Sequence, residues 1–314
     1  MTRSVVTFGS FDGVHVGHAA LVRAAAVRAR DLGLSRVVAV CFQPHPRSVL
    51  RPEAVPSVLS TRQQRRHWLA QAGASEVAFL RPTPELLAAG PEEFMAWMQA
   101  ELCPAVVVEG QSFRFGRGRA GDMRLLREAG ARAGFEVMEV PPVEVTLDDH
   151  SVVVASSSIC RWLLASGRVA DAARVLGRPY EVAGVVERGD RRGREMGFPT
   201  ANIHWHTTLP AAGVYAACAV LPDGSRWPAA VNVGERPTFA GRTYTCEAHL
   251  LGVPAEAGGA IAGLPEYGWP VRLQMIRWIR DQIRFPSLAQ LLDQIRRDCL
   301  RVGGAVGAAT MAHA

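Results

Sequence analysis

Residues 9–18 read Gly9-Ser10-Phe11-Asp12-Gly13-Val14-His15-Val16-Gly17-His18. The apolar run Ser4–Phe8 comes just before them, and an Ala-rich stretch, His18 to Arg30, follows and stops at Gly33. A strand, a glycine-rich turn and a helix in that order open a parallel α/β unit. The turn carries backbone N–H groups and a positive helix end to the carboxyl edge of the sheet, which suits an anion. His15 and His18 can both face that place, and Gly17 between them lets a polyphosphate come close to the backbone. Imidazole N–H groups stabilise charge on a phosphoryl group in transfer, with no nucleophile needed. The plainer reading is two structural histidines in a turn; the strand–turn–helix setting favours the functional one.

Working outward, strands are expected at Arg36–Phe42, Glu76–Leu80, Ala105–Glu109 and Glu136–Val140, with helices at Thr61–Gly73, Pro91–Leu102 and Asp122–Gly134. Strands alternating with helices predict a doubly wound parallel sheet. A further helical stretch, Ile159–Leu176, precedes a change of character. Beyond it come short alternating runs between Gly and Pro: Glu181–Glu187, Gly213–Val220, Ala229–Val233 and Thr243–Leu251. These predict a small antiparallel barrel. Ser287, with Gln290 three residues on, opens a closing helix that Gly303–Gly304 should end. The expected domains are 1–178, 179–302 and a flexible tail, 303–314.

Composition narrows the chemistry. Of 314 residues, 48% are apolar and 20% charged, enough for a packed core. The chain has no lysine, so all 35 basic residues are arginine and the net charge is +6. That excludes a Walker A loop, a protein-kinase site and a Schiff-base site, all of which need lysine. Phosphate chemistry must run on Arg, His, backbone N–H groups and metal. Asparagine occurs only at 202 and 232. The six cysteines form no C-x-x-C pair, which predicts reduced, mostly buried thiols. No apolar run approaches the roughly 18–20 residues of a bilayer span. The N-terminus reaches Gly and Asp too early for a signal-peptide core. A soluble, cytoplasmic protein is expected.

The 9–18 segment resembles the G-x-F-D-G-V-H-x-G-H signature of the bacterial bifunctional riboflavin kinase/FMN adenylyltransferases, and the resemblance extends from Val5 to about Asp298. Cys41-Phe42-Gln43-Pro44-His45-Pro46 is similar to the family's T-F-D-P-H-P. Gly110–Asp122 resembles its G-x-[DN]-F-x-F-G segment and following basic loop, and Ser156–Arg161 resembles S-S-T-x-I-R. The resemblance implies a Rossmann-like nucleotidylyltransferase domain, then a β-barrel kinase domain with a C-terminal helix. For the first domain it implies His15, His18 and Arg161 as catalytic, with Gly9, Phe11, Asp12, Gly17, Ser112, Phe113, Ser156, Ser157 and Ser158 around ATP and flavin. Hydroxyls at a helix start can hold phosphate, and a guanidinium can fork onto it. Read alone, the serine run is an N-cap, and Phe113 and Phe115 are strand-end core aromatics. Ser112, where the family has Asp or Asn, is the sharpest departure; Gln43, Ser158 and Cys160 also differ.

Gly197-Phe198-Pro199-Thr200-Ala201-Asn202 resembles the kinase half's G-F-P-T-A-N, after the basic stretch Gly189–Arg194. The resemblance implies that Gly193, Gly197, Pro199, Thr200 and Asn202 line the ATP and flavin site. Thr200 and Asn202 would be the neutral oxygen ligands of Mg2+, which prefers hard donors. Thr243–Leu251 alternates so that Thr245, Glu247 and His249 share the polar strand face. Glu247 matches the family's catalytic glutamate and would be the general base. Asn232 to Phe239 matches N-x-G-x-x-P-T-F and reads as a lid or turn. The expected reactions are riboflavin to FMN in the barrel and FMN to FAD in the first domain, with ATP as co-substrate. Partners are small molecules, without nucleic acid or membrane; a homo-oligomer is left open. Two rivals stand: a chain with only the kinase head active, and a basic nucleotide- or RNA-binding protein without turnover.

Overall fold

The computed structural model describes residues 2–189, 193, 196–238, 241–254 and 260–311. The chain divides into two compact units. The first comprises 1–57, 62–145 and 152–157, and the second 58–61, 146–151 and 158–314.

In the first unit, β1 (Ser4–Gly9) leads to α1 (Val16–Asp31), β2 (Val37–Phe42), α2 (Arg62–Gln71), β3 (Glu76–Leu80), α3 (Pro91–Leu102), β4 (Pro104–Gly110), α4 (Met123–Ala133) and β5 (Glu136–Val140). The strands lie parallel in the order β3-β2-β1-β4-β5. The Val-rich strands are apolar on both faces because helices cover both. Val6 and Phe8 pack with Met98 and Leu126 on one side, while Val5 packs with Ala25 and Ala29 of α1 on the other. Strand order reverses at β1, which is where doubly wound sheets open a crevice at their carboxyl ends. The β1–β2 register runs to Gly9↔Cys41, but β1–β4 pairing stops at Val6↔Val107. The two strands therefore part where the histidine turn begins. A small hairpin follows, β6 (Glu144–Thr146) and β7 (Val152–Val154).

The second unit holds most of α5 (Ser157–Ala165), then α6 (Val169–Leu176), β8 (Tyr180–Glu187), β9 (Ala201–Trp205), β10 (Gly213–Val220), β11 (Arg226–Thr238), β12 (Gly241–Leu250), β13 (Pro270–Arg280) and α7 (Leu288–Met311). Its strands close into a barrel in the order β10-β11-β12-β9-β8-β13. Inward residues alternate along each strand, as with Cys246, Ala248 and Leu250 of β12 or Val271, Leu273 and Met275 of β13.

Several expectations need correction. The stretch 159–176 is two helices, broken at Gly167, whose φ of 72° ends the first turn-by-turn run. Residues 158–178 group with the barrel rather than with the sheet, because α6 packs on β8 and β13. Residues 303–311 are helical rather than a frayed tail: Val302 and Val306 are buried against Ala216 and Cys218, so the apolar face of α7 continues past Gly303–Gly304. Residues 232–238 are not a lid or turn but part of the 13-residue β11, paired with β12 from Ala229↔Leu250 to Thr238↔Gly241. Strands β9 and β13 were not foreseen.

Candidate active sites

The first site grows out of the end of β1. Phe11, Gly13 and Val14 all have positive φ, of 46°, 81° and 41°, so the chain coils tightly before α1. The Phe11 ring is fully buried with Val14, Val22 and Cys41, which anchors the turn from below. His15 is the N-cap of α1; its Nδ1 accepts the His18 N–H at 3.4 Å. The His15 and His18 rings stack with centroids 3.6 Å apart and planes 26° apart, and Phe11 meets the His18 ring edge-on at 5.1 Å. Gly17 makes this possible, since a Cβ there would sit 3.1 Å from the His15 ring. A Cβ at Gly9 would likewise press the Phe11 ring at 3.2 Å.

Two further groups hold the turn. Ser157 donates its hydroxyl to the Asp12 carbonyl at 2.8 Å, and Asp12 itself is buried. Arg65, buried on α2, donates to the Ser10 carbonyl at 3.1 Å. Burial pulls the Arg65 pKa down, and the charge of Asp12 opposes that shift. Burial pushes the Cys41 thiol up to about 12, so it is inert. None of the six cysteines is in a disulfide, and Cys160, Cys218 and Cys246 are buried as well.

The structure thus brings together Gly9, Phe11, Asp12, His15, Gly17, His18 and Ser157. Ser156 precedes α5, Ser158 and Arg161 lie in its first turns, and Cys160 is buried in the second unit. Ser112 is exposed in the turn after β4, where Phe113 N–H bonds the Gly110 carbonyl at 3.0 Å. Phe115 is buried, and Phe113 packs partly buried beside it at 5.5 Å. For Phe115 the core reading holds.

The second site lies on the barrel. In register across four neighbouring strands stand Glu187, Asn202, Glu247 and Asn232. Residues directly opposite in antiparallel strands share a face, so two carboxylates and the chain's only two asparagines form one polar row. On β12, Cys246, Ala248 and Leu250 point inward, which leaves Thr245, Glu247 and His249 on the other face, as the alternation predicts. His249 Nδ1 lies 2.7 Å from the Pro199 carbonyl, and the Phe198 ring meets the His249 ring edge-on at 5.4 Å, so the Phe198–Pro199–Thr200 bend is tied to β12. Gly193 accepts the Phe198 N–H at 2.8 Å, Gly197 turns at φ 80°, and the Asn202 amide fills the space where a Gly189 side chain would be. A cavity of about 90 Å³ beside the row is lined by Pro199, Thr200, Asn202, Glu187 and Tyr267 among others. Asp190, Arg191, Arg192, Arg194 and Phe239, also singled out in the sequence, lie outside the described residues.

Sequence reasoning missed Glu187 and Asn232 as members of the row, and Gln282, which donates to Asn232 Oδ1 at 2.7 Å. The signal for Asn232 was its rarity; Gln282 lies in the stretch Arg280–Phe285, which also resembles the family, and for Glu187 no local pattern existed. A larger cavity, about 980 Å³, lies between α6, β13 and α7 and contains no motif residue. Of its four arginines, Arg174 pairs with Asp148 at 2.6 Å and Arg178 bonds the Leu176 carbonyl at 3.0 Å; Arg277 and Arg301 are exposed. Among the described residues no helix is long and apolar enough to cross a membrane, and no three His, Cys, Asp or Glu side chains converge as metal ligands.

A parallel sheet with a helix-capping histidine pair at its carboxyl edge, joined to a barrel with a carboxylate–amide row, defines a two-site phosphate-handling protein. Family models agree with both halves: FAD synthetase over residues 1–157 and riboflavin kinase over residues 176–304. The chain belongs to the bifunctional riboflavin kinase/FMN adenylyltransferase family. It is 34% identical over 297 residues to such an enzyme of Escherichia coli, covering 94% of this chain and 90% of that one. A Bacillus subtilis relative of the same description is 31% identical, with 94% and 90% covered. A solved Streptococcus pneumoniae structure described as a macrolide-efflux protein matches with a TM-score of 0.83 at 29% identity, covering 95% of this chain and 92% of that one.

Proposed function

We infer that this chain is an enzyme of FAD biosynthesis: the barrel phosphorylates riboflavin to FMN with ATP, and the parallel-sheet unit joins FMN to the AMP part of ATP, releasing pyrophosphate. The observation that carries the reading is the pair of unlike clusters, stacked imidazoles at a helix start and a carboxylate–amide row on a barrel, each in the half whose family model names that chemistry.

In the first unit the FMN phosphate is already an anion at neutral pH, so no base is required; alignment and neutralisation of charge are. His15 and His18 stabilise the transferring phosphate at the α1 N-terminus, and Arg161 takes the leaving pyrophosphate. Gly9 and Gly17 keep the approach open, while Asp12 and Ser157 hold the turn. In the barrel, Glu247 accepts the proton of the riboflavin hydroxyl as it attacks the terminal phosphate of ATP. Asn202 and Asn232, on either side of Glu247 in the register, orient it and the phosphate. Thr200 immediately precedes β9, Asn202 is the strand's second residue, and both line the cavity. Two neutral oxygens fit Mg2+, which keeps several waters and phosphate ligands. Held there with the triphosphate, the ion supplies charge neutralisation. With ATP as donor, the reading places the chain in the cytoplasm.

The test is a time course with riboflavin, ATP and Mg2+, products resolved by chromatography. FMN should appear first and FAD after it. His18→Ala should stop FAD formation by about a hundredfold or more and leave FMN formation intact. Glu247→Ala should do the reverse. Equal loss of both products in either variant would defeat the two-site reading.

A further inference from the structure

Near the end of β4 stands Glu109, a carboxyl with 2% of its surface exposed inside a sheet of valines. Such a group is costly to bury unless it is hydrogen-bonded. Its Oε1 accepts the backbone N–H of Phe8 at 2.6 Å and lies 3.5 Å from the Thr7 hydroxyl, which donates to it. The Gly110 N–H also acts on it. Backbone pairing between β1 and β4 has ended at Val6↔Val107. At the level of Phe8 a side chain therefore does what the strand ladder no longer does. Phe8 is one residue before Gly9, and its ring stacks on Phe113 at 6.3 Å and 27°. Phe8 thus links the root of the histidine turn to the segment leaving β4 twice, through its N–H to Glu109 and through its ring to Phe113.

We propose that Glu109 is a positioning residue for adenylyl transfer, fixing the root of the histidine turn where β1 and β4 part by accepting the Phe8 N–H. The role rests on the adenylyl-transfer reading of the first unit. It asks for an acceptor and not for a charge. Burial holds the Glu109 carboxyl well above the ordinary carboxylate range, and its protonated form still offers a carbonyl oxygen. Without an acceptor, the Phe8 N–H is left unmet in a dry sheet, and the turn that carries His15 and His18 loses its anchor at the crevice.

The full-length chain is suited to the test because its kinase reaction is an internal control. Glu109→Gln should keep kcat and the KM for ATP of FAD formation within about threefold of the parent, since its amide oxygen still accepts. Glu109→Leu should lower that kcat by about tenfold or more, with the KM for ATP changed by less than about threefold and FMN formation untouched. Parental FAD turnover in Glu109→Leu would overturn the proposal. So would a Glu109→Gln loss equal to that of Glu109→Leu, which would mean that the acid itself is used. A Glu109→Leu chain whose kcat and ATP affinity collapse together with its thermal unfolding transition would make Glu109 a packing residue and also overturn the proposal. A parent chain that makes no FAD would remove the adenylyl-transfer reading first; normal parental turnover with an unaffected Glu109→Leu would remove only the proposal.

Discussion

Gly17 acts through the atom it lacks. A methyl group there would sit 3.1 Å from the His15 ring, tighter than ordinary van der Waals contact. Gly17→Ala should therefore tilt His15 off His18 and lower the kcat of FAD formation by about tenfold or more, while FMN formation is kept; comparing the two products in one assay checks this. Glu109 carries a prediction of another kind. Its carboxyl is held protonated well above the ordinary carboxylate range, chiefly by burial. The folded chain thus keeps a proton that the unfolded chain releases. The stabilisation is complete below the unfolded pKa and is lost as pH rises from there toward the folded pKa. Glu109→Gln cannot ionise, so its melting temperature should gain on the parent's as pH rises above the ordinary carboxylate range, followed by scanning calorimetry. A gap that stays constant or narrows over that rise would contradict the assigned protonation.

At the scale of elements, α7 illustrates what glycine hides. The pair Gly303–Gly304 reads as a stop, yet the helix runs to Met311 because Val302 and Val306 still have a barrel wall to cover. Tertiary packing outweighs the roughly 1 kcal/mol by which each glycine disfavours a helix. Val302→Ala should cost about 2 kcal/mol in denaturant unfolding of the barrel; a value near zero would mean that the tail does not pack. The five parallel strands were legible to within a residue or so, because short apolar runs bounded by helices, buried in the three central strands, leave little choice of period. In the barrel the period fails locally. β13 buries Val271, Leu273 and Met275 inward, then turns Ile276 and Ile279 toward α7 across register shifts, so its alternation changes phase midway. β9 has a single deeply buried residue, Ile203, and offers almost no pattern. The first site was readable because its residues are contiguous. The second was only half readable, because Glu187, Asn202, Asn232 and Glu247 come from four strands and meet only through register.

Across the whole molecule the two sites rest on separate cores, one a layered sheet and the other a closed barrel. Neither core contains a residue of the other's proposed machinery apart from Ser158 and Arg161, which begin the barrel unit's share of α5. Loss of one reaction should therefore leave the other's residues in place. A mixture of His18→Ala and Glu247→Ala chains should convert riboflavin to FAD, with FMN crossing through solution, although neither variant does so alone. Chromatographic failure to find FAD in the mixture would show that the two reactions must share a chain.

The confinement of asparagine to positions 202 and 232 also bears on how the molecule ages. Amide hydrolysis at either residue would plant a new carboxylate beside Glu247, crowding like charges on one barrel face. The parallel-sheet unit has no asparagine to lose. Slow chemical wear of this protein therefore falls first on the making of FMN, and the histidine site outlives its supplier.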